Sequence, residues 1–227
     1  AFVFCCLNNT YKISAEIFAI WMRLLKAVPE SVLWLMQLSD LGRDNLQREA
    51  ASHGVDPARL IFSPKLSVPN HLARQYLADL FLDTLPVNAH TTASDALWGG
   101  LPILTCAGNS FVSRVCGGLL HAVGLPELVT HSLEDYEAMA LKLAREPETL
   151  AKIRGKLTRD QLVTTPLFNI EQYSRDLEVA YEHMVALREA GETPQAFAVA
   201  DVASLYPKPN TQTNDAVLRE TFVPKPK

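Results

Sequence analysis

A parallel α/β fold is what this sequence predicts, and two observations carry that reading. Five short runs, Phe2–Leu7, Val32–Leu38, Leu60–Phe62, Leu80–Leu82 and Pro102–Cys106, are apolar almost throughout rather than alternating. That is the pattern of strands covered on both faces. Segments with helical spacing lie between them, and strand–helix–strand alternation leads to a parallel sheet with right-handed crossovers.

The first run starts almost at the first residue, without the basic n-region or cleavage site of a signal peptide. It reads as a central strand, and a chain that opens inside a core strand reads as a piece of something longer. Ile17, Ile20, Trp21, Leu24, Leu25 and Val28 then fall on one helical face. A second helix is expected over 43–53, stopped by Gly54 in a left-handed conformation. A short helix comes after Pro69, a residue suited to a first helical turn. A fourth opens near Thr91 and ends at Gly99–Gly100.

Beyond about Ser110 the pattern predicts helices only. Ser132 can cap a helix that turns Tyr136, Met139, Ala140 and Leu143 inward. Asn169 and Gln172 have the spacing of a capping-box variant. The helix they open carries Ile170, Tyr173, Leu177, Ala180, Tyr181 and Met184 and ends at Gly191. Residues 1–191 are therefore expected to form one lobe with C-terminal helices. Residues 192–227 hold five prolines and no glycine, which predicts an extended tail.

Composition narrows the function. With 48% apolar and 20% charged residues among 227, the chain has the balance of a soluble globular protein. A net charge of -4 gives no electrostatic case for nucleic acid. No apolar run approaches the roughly 20 residues of a membrane span. Cys5, Cys6, Cys106 and Cys116 fit neither a zinc spacing nor a disulfide framework. They read as buried thiols in a reducing, cytoplasmic setting. There is no Asp-x-Asp pair or His/Glu cluster with metal spacing, so no metal is expected. The G-x-G-x-x-G, Walker and G-x-S-x-G loops are missing too. His53, His121, His131 and His183 read as structural or surface residues, and Trp34 and Trp98 as core.

In a parallel sheet, ligands bind outside the carboxyl ends of the strands. After the first strand, Lys12 can reach a phosphate or stand in a solvated loop. After the third, His71 and Arg74 can face a base or ribose or lie on the surface. After the fourth comes Asp83-Thr84-Leu85-Pro86-Val87-Asn88-Ala89-His90-Thr91-Thr92-Ala93-Ser94-Asp95. Free amides at such a helix start bind anions. Thr91 and Thr92 add hydroxyl donors, and Asp95 stands about one turn in, placed to accept from ribose. A threonine N-cap with a nearby aspartate fits the same residues equally well.

The segments NNTYKI, PESVLWLM, RLIFSP, LADLFLDT, NAHTTASDALWGGLPILT, SRV, RGK and PLFNIEQY occur in order. Together they resemble the C-terminal catalytic lobe of O-linked N-acetylglucosamine transferases, bacterial homologues included, from Phe2 to about Gly191. The SPINDLY-like O-fucosyltransferases share much of the pattern. The resemblance implies a Rossmann-like parallel sheet with flanking helices, the C-terminal lobe of a GT-B glycosyltransferase. It also implies a metal-independent reaction without cofactor, in which a sugar passes from UDP-GlcNAc to Ser or Thr hydroxyls of a protein or peptide. A first lobe and tetratricopeptide repeats are expected outside these residues, and the lobe alone is expected to be inactive.

By the same resemblance, Lys12 steadies the leaving diphosphate and is the catalytic residue. Asn9 stands near the phosphates, where the family has Gln. His71 stacks by the nucleoside beside Arg74. His90, Thr91 and Thr92 form the phosphate turn, Asp95 holds the ribose, and Leu66 offers a backbone contact to uracil. Val68 departs from the pattern, since the animal enzymes read uracil with a lysine there. That leaves a GDP-fucose donor open, and a non-catalytic nucleotide- or partner-binding module is the alternative from another class.

Overall fold

The structure is a computed structural model that describes residues 1–37 and 39–206. Six strands, β1 (Val3–Cys6), β2 (Val32–Met36), β3 (Leu60–Ser63), β4 (Leu80–Leu82), β5 (Ile103–Cys106) and β6 (Val129–Thr130), form one sheet in the order β3-β2-β1-β4-β5-β6. Every pairing is parallel, as the unbroken apolar runs predict. The helices are α1 (Ala15–Ala27), α2 (Asp40–Ser52), α3 (Val68–Arg74), α4 (Thr91–Trp98), α5 (Val115–Ala122), α6 (Leu133–Arg145), α7 (Pro147–Gly155), α8 (Arg159–Leu162), α9 (Ile170–Glu189) and α10 (Val199–Val202).

The core lies on both sides of β1 and β4. Leu80, Phe81 and Leu82 are fully buried, and so is the α1 face of Ile17, Ile20, Trp21, Leu24 and Leu25. Burying each such side chain stabilises the fold by roughly 1.5–3 kcal/mol. Ser14 caps α1 by accepting from the Ile17 amide, and Ser132 caps α6 by accepting from the Asp135 amide. α1 and α6 pack on each other, and a buried polar chain joins them to the sheet. Trp21 Nε1 donates to Tyr136 Oη at 3.3 Å, and Tyr136 Oη donates to the Asp83 carbonyl at 3.0 Å.

Several expectations need correction. The 43–53 helix starts earlier, at Asp40, because Ser39 Oγ accepts from the Gly42 amide. Gly54 stops it at φ 73° as expected. The second strand ends at Met36, and Leu38 lies outside the described residues. The region after Ser110 is not purely helical, for Val129–Thr130 adds β6 to β5. Two residues are too few for periodicity to register.

The chain forms two compact units, which divide between Phe168 and Asn169 rather than at Gly191. In the second unit Asn169 caps α9 by accepting from the Gln172 amide. Gln172 does not reach back; it donates to Asp176 at 2.7 Å. The segment after Gly191 is not simply extended. It carries α10 and returns to α9, with Phe197 edge-on to His183 at 4.6 Å and Tyr206 Oη 3.2 Å from His183 Nδ1. These contacts fasten the 192–206 segment to α9. The apolar stripe Ile170, Tyr173, Leu177, Tyr181 and Met184 is exposed. The tail from residue 207 onward lies outside the described residues.

Candidate functional site

Strands β1 and β4 are neighbours from which the chain proceeds in opposite directions across the sheet. Their carboxyl ends border the crevice where open α/β sheets take ligands. The loops Asn8–Lys12 and Asp83–His90 meet there. Asn8 Nδ2 donates to Asp83 Oδ1 at 3.2 Å and to Thr84 Oγ1 at 2.9 Å. Lys12 Nζ donates to the Asn88 carbonyl at 2.8 Å. The half-buried lysine thereby stands on the loop that leads into α4.

That loop is organised around Asp83, which is 1% exposed. Its Oδ1 accepts from the amides of Thr84 and Ala89, both at 2.7 Å, and its Oδ2 from Thr105 Oγ1 at 2.7 Å. Burial pushes the Asp83 carboxyl up, and the bonds from Thr105, Ala89 and Thr84 oppose this. Asn8 Nδ2 and the two amides can only donate, so they hold Oδ1 as an acceptor. Orphaning either amide would cost about 1–3 kcal/mol. Asn88 adds a second tie, with Nδ2 donating to the Thr84 carbonyl at 2.9 Å. The Leu85–Pro86 peptide bond in this loop is cis.

The helix start decides between the two readings of the Thr91–Thr92 segment as far as capping goes. The residue at the N-cap is His90, and its side chain makes no capping bond. The His90 carbonyl accepts from Ala93 and Ser94, while the amides of Thr91 and Thr92 have no acceptor among the described residues. A threonine cap is thus not what these residues provide. Two unpaired amides and two hydroxyls remain at the positive end of the helix dipole, an anion-binding arrangement. The His90 ring meets Phe111 edge-on at 6.4 Å and has Nε2 3.4 Å from the Val112 carbonyl.

The end of β3 contributes a second cluster. Arg74 is 5% exposed. Its guanidinium donates to Ser63 Oγ, the Pro64 carbonyl and His71 Nδ1, the last at 2.6 Å. A guanidinium only donates, so His71 Nδ1 accepts from Arg74, and the Gln75 side-chain amide lies 3.1 Å from His71 Nε2. Nε2 lies 3.6 Å from Asp95 Oδ2 on α4. Desolvation and Arg74 lower the His71 pKa, with Asp95 opposing. The structure therefore brings His71, Arg74 and Asp95 together, with Arg74 inside, behind His71. Gly99 completes the packing at this end. A Cβ there would come within 2.5 Å of Gln75 Cβ, and Gln75 is the neighbour of Arg74. Asn9 is exposed at the start of the turn containing Lys12. Leu66 is 37% exposed, and Val68 is 70% exposed at the start of α3.

Asp83 is the residue that sequence reasoning missed. Its signal was an acidic residue placed directly after a wholly apolar strand. Trp98 is half-buried, with Arg159 stacked 3.5 Å above its ring, and Trp34 is half-buried with Arg74 6.0 Å away. His121 and His131, with Phe111 and Arg114, line a groove of about 730 Å³ that does not include Lys12 or the Thr91–Thr92 turn. The four cysteines are free and buried. Among the described residues, no group of three His, Cys, Asp or Glu is arranged to hold a metal, and no helix is long and apolar enough to cross a membrane.

Comparison with known proteins agrees with this architecture. Residues 1–177 match the profile of glycosyl transferase family 41. The UDP-N-acetylglucosamine–peptide N-acetylglucosaminyltransferase of Caenorhabditis elegans is 36% identical over 84% of this chain and 16% of its own length. The probable Arabidopsis thaliana enzyme named SEC is 37% identical over 88% of this chain and 20% of its own. A Petunia hybrida relative named SPINDLY is 29% identical over 96% of this chain and 23% of its own. The chain therefore spans less than a quarter of these relatives. A mutant of the Thermobaculum terrenum O-GlcNAc transferase superposes with a TM-score of 0.75 at 33% identity, covering 81% of this chain and 36% of that one. Anabaena HepE, solved with UDP and glucose, shares the fold at a TM-score of 0.54 and 14% identity, over 78% of this chain and 48% of that one. The sheet is the Rossmann-like lobe of GT-B glycosyltransferases. With the family profile covering most of its length, the chain belongs to glycosyltransferase family 41.

Proposed function

We propose that this chain is the donor-binding lobe of a metal-independent protein glycosyltransferase that moves N-acetylglucosamine from UDP-GlcNAc to Ser or Thr hydroxyls. The observation that carries the reading is Lys12 bound to the Asn88 carbonyl, on the loop that leads into the Thr91 and Thr92 amides at the start of α4, which have no acceptor among the described residues. As the sugar leaves, negative charge grows on the terminal phosphate of the nucleotide. Fixed donors aimed at that charge stabilise the transition state without a metal. Lys12 and the α4 start supply them, His90 borders the turn, and Asn9 flanks it. His71 and Asp95 face the nucleoside, with Arg74 holding His71 through Nδ1, and Leu66 lies along the base.

The relatives named as peptide N-acetylglucosaminyltransferases support this donor and acceptor. The acceptor's proton is taken by a group outside this lobe. A first catalytic lobe and tetratricopeptide repeats complete the enzyme in this reading, and the buried free thiols suit a cytoplasmic one. A second reading, a GDP-fucose donor, is favoured by Val68, whose exposed apolar side chain stands where a uracil-reading lysine belongs.

Thermal unfolding with UDP and with GDP separates the two. A ligand at 100 times its Kd stabilises the fold by about 2.7 kcal/mol. Protection by UDP supports the first reading, protection by GDP alone the second, and protection by neither removes the donor site. Transfer of radiolabelled sugar to peptide by the complete protein tests catalysis. Nucleotide protection without transfer would make this a binding module.

A further inference from the structure

We propose that Asp83 is a positioning residue for the diphosphate turn, acting through the loop rather than touching the donor. Its Oδ1 accepts from Thr84, where the loop leaves β4, and from Ala89, where the loop returns, both at 2.7 Å. Ala89 is followed directly by His90, the N-cap of α4. One oxygen atom therefore sets where the free amides of Thr91 and Thr92 stand relative to the sheet. The same carboxylate is held on both sides, by Asn8 in the loop after β1 and by Thr105 in β5. Lys12 is drawn into the arrangement because its ammonium rests on the Asn88 carbonyl, one residue before Ala89. Loss of the carboxylate would release both donor groups at once, although Asp83 itself is buried away from the surface.

This inference rests on the donor-site reading, so its test has two arms. In the complete protein, hydrogen exchange over residues 84–92 and calorimetric affinity for UDP and GDP are compared for wild type, Asp83→Asn and Asp83→Ala. The Asn oxygen can still accept from both amides, and its NH2 can face the Thr105 hydroxyl. Asp83→Asn is therefore expected to stay within about threefold of wild type in both measurements. Asp83→Ala is expected to raise exchange over 84–92 selectively and weaken nucleotide binding about tenfold or more. If Asp83→Ala does not fold, Thr105→Val replaces it. It removes the bond to Oδ2 and should loosen 84–92 while leaving α6 protected. Unchanged exchange over 84–92, loosening spread equally through β1 and β5, or an Asn variant as impaired as the Ala variant would overturn the role. A wild type that binds neither nucleotide would remove the donor-site reading, while the exchange arm would still decide what Asp83 holds.

Discussion

The two ends of the candidate site are built from similar residues and finished in opposite ways. At the end of β4, the Thr91 and Thr92 amides have no acceptor among the described residues, and Lys12 makes one bond to a backbone carbonyl. At the end of β3, Arg74 is taken up by Ser63, Pro64 and His71, and His71 in turn lies against Asp95. The first end presents donors to whatever arrives, and the second is a prearranged surface whose polarity is already set. Standing after a strand tells where a polar side chain is, and its partners decide whether it is free to act.

The largest effect should come from Lys12, at the open end. In the complete enzyme, Lys12→Ala should lower kcat by about 100-fold or more, with donor affinity changing much less. Removing one fixed donor from a charge-stabilising site costs on that scale. An unchanged kcat would move the catalytic charge elsewhere and erase the contrast.

Arg74 should register first in stability. Arg74→Met removes charge-assisted bonds at a nearly buried position, and bonds to charged groups contribute about 1.5–3 kcal/mol each. A clear fall in unfolding temperature is expected. Arg74→Lys should not restore it, because an ammonium cannot reproduce the planar fork that spans three acceptors. A stable Arg74→Met that loses only nucleotide affinity would show the guanidinium to be a ligand group instead.

The smallest effect should come from His71. Its folded pKa is depressed, so the unfolded chain takes up the proton first as pH falls. Its contribution is fully present above the unfolded value, near 6.5, and is lost as pH falls through that value to the lower folded one. Unfolding free energy should thus decline as pH drops below about 6.5, and His71→Gln should flatten that part of the profile. An identical profile in the variant would show that Asp95 offsets the desolvation.

Much of the frame was legible in the residues. All-apolar Leu80–Leu82 marked a central strand, and Ser132 and Asn169 marked helix starts. Gly54 and Gly191 marked helix ends, and both have positive φ. The apolar runs placed Lys12 and the His90–Thr92 turn directly after strands, and the family pattern gave them their roles. The hidden features had no local signal. β6 is two residues long, and its pairing with β5 is a long-range event. The return of Phe197 and Tyr206 onto α9 depends on a chain reversal that composition read only as a tail.

The sequence by itself determined the order of the first five strands and the helices between them, the covered faces of the sheet and the residues standing at its carboxyl edge. These come from hydrophobic spacing and capping chemistry, which act between near neighbours. Only the tertiary structure decided which edge residues stay free, that Arg74 supports His71 from within, and that Asp83 ties three strand ends to one loop. Hydrogen bonds between positions some 20 to 75 residues apart leave no periodic trace. They exist only once the strands have been brought side by side.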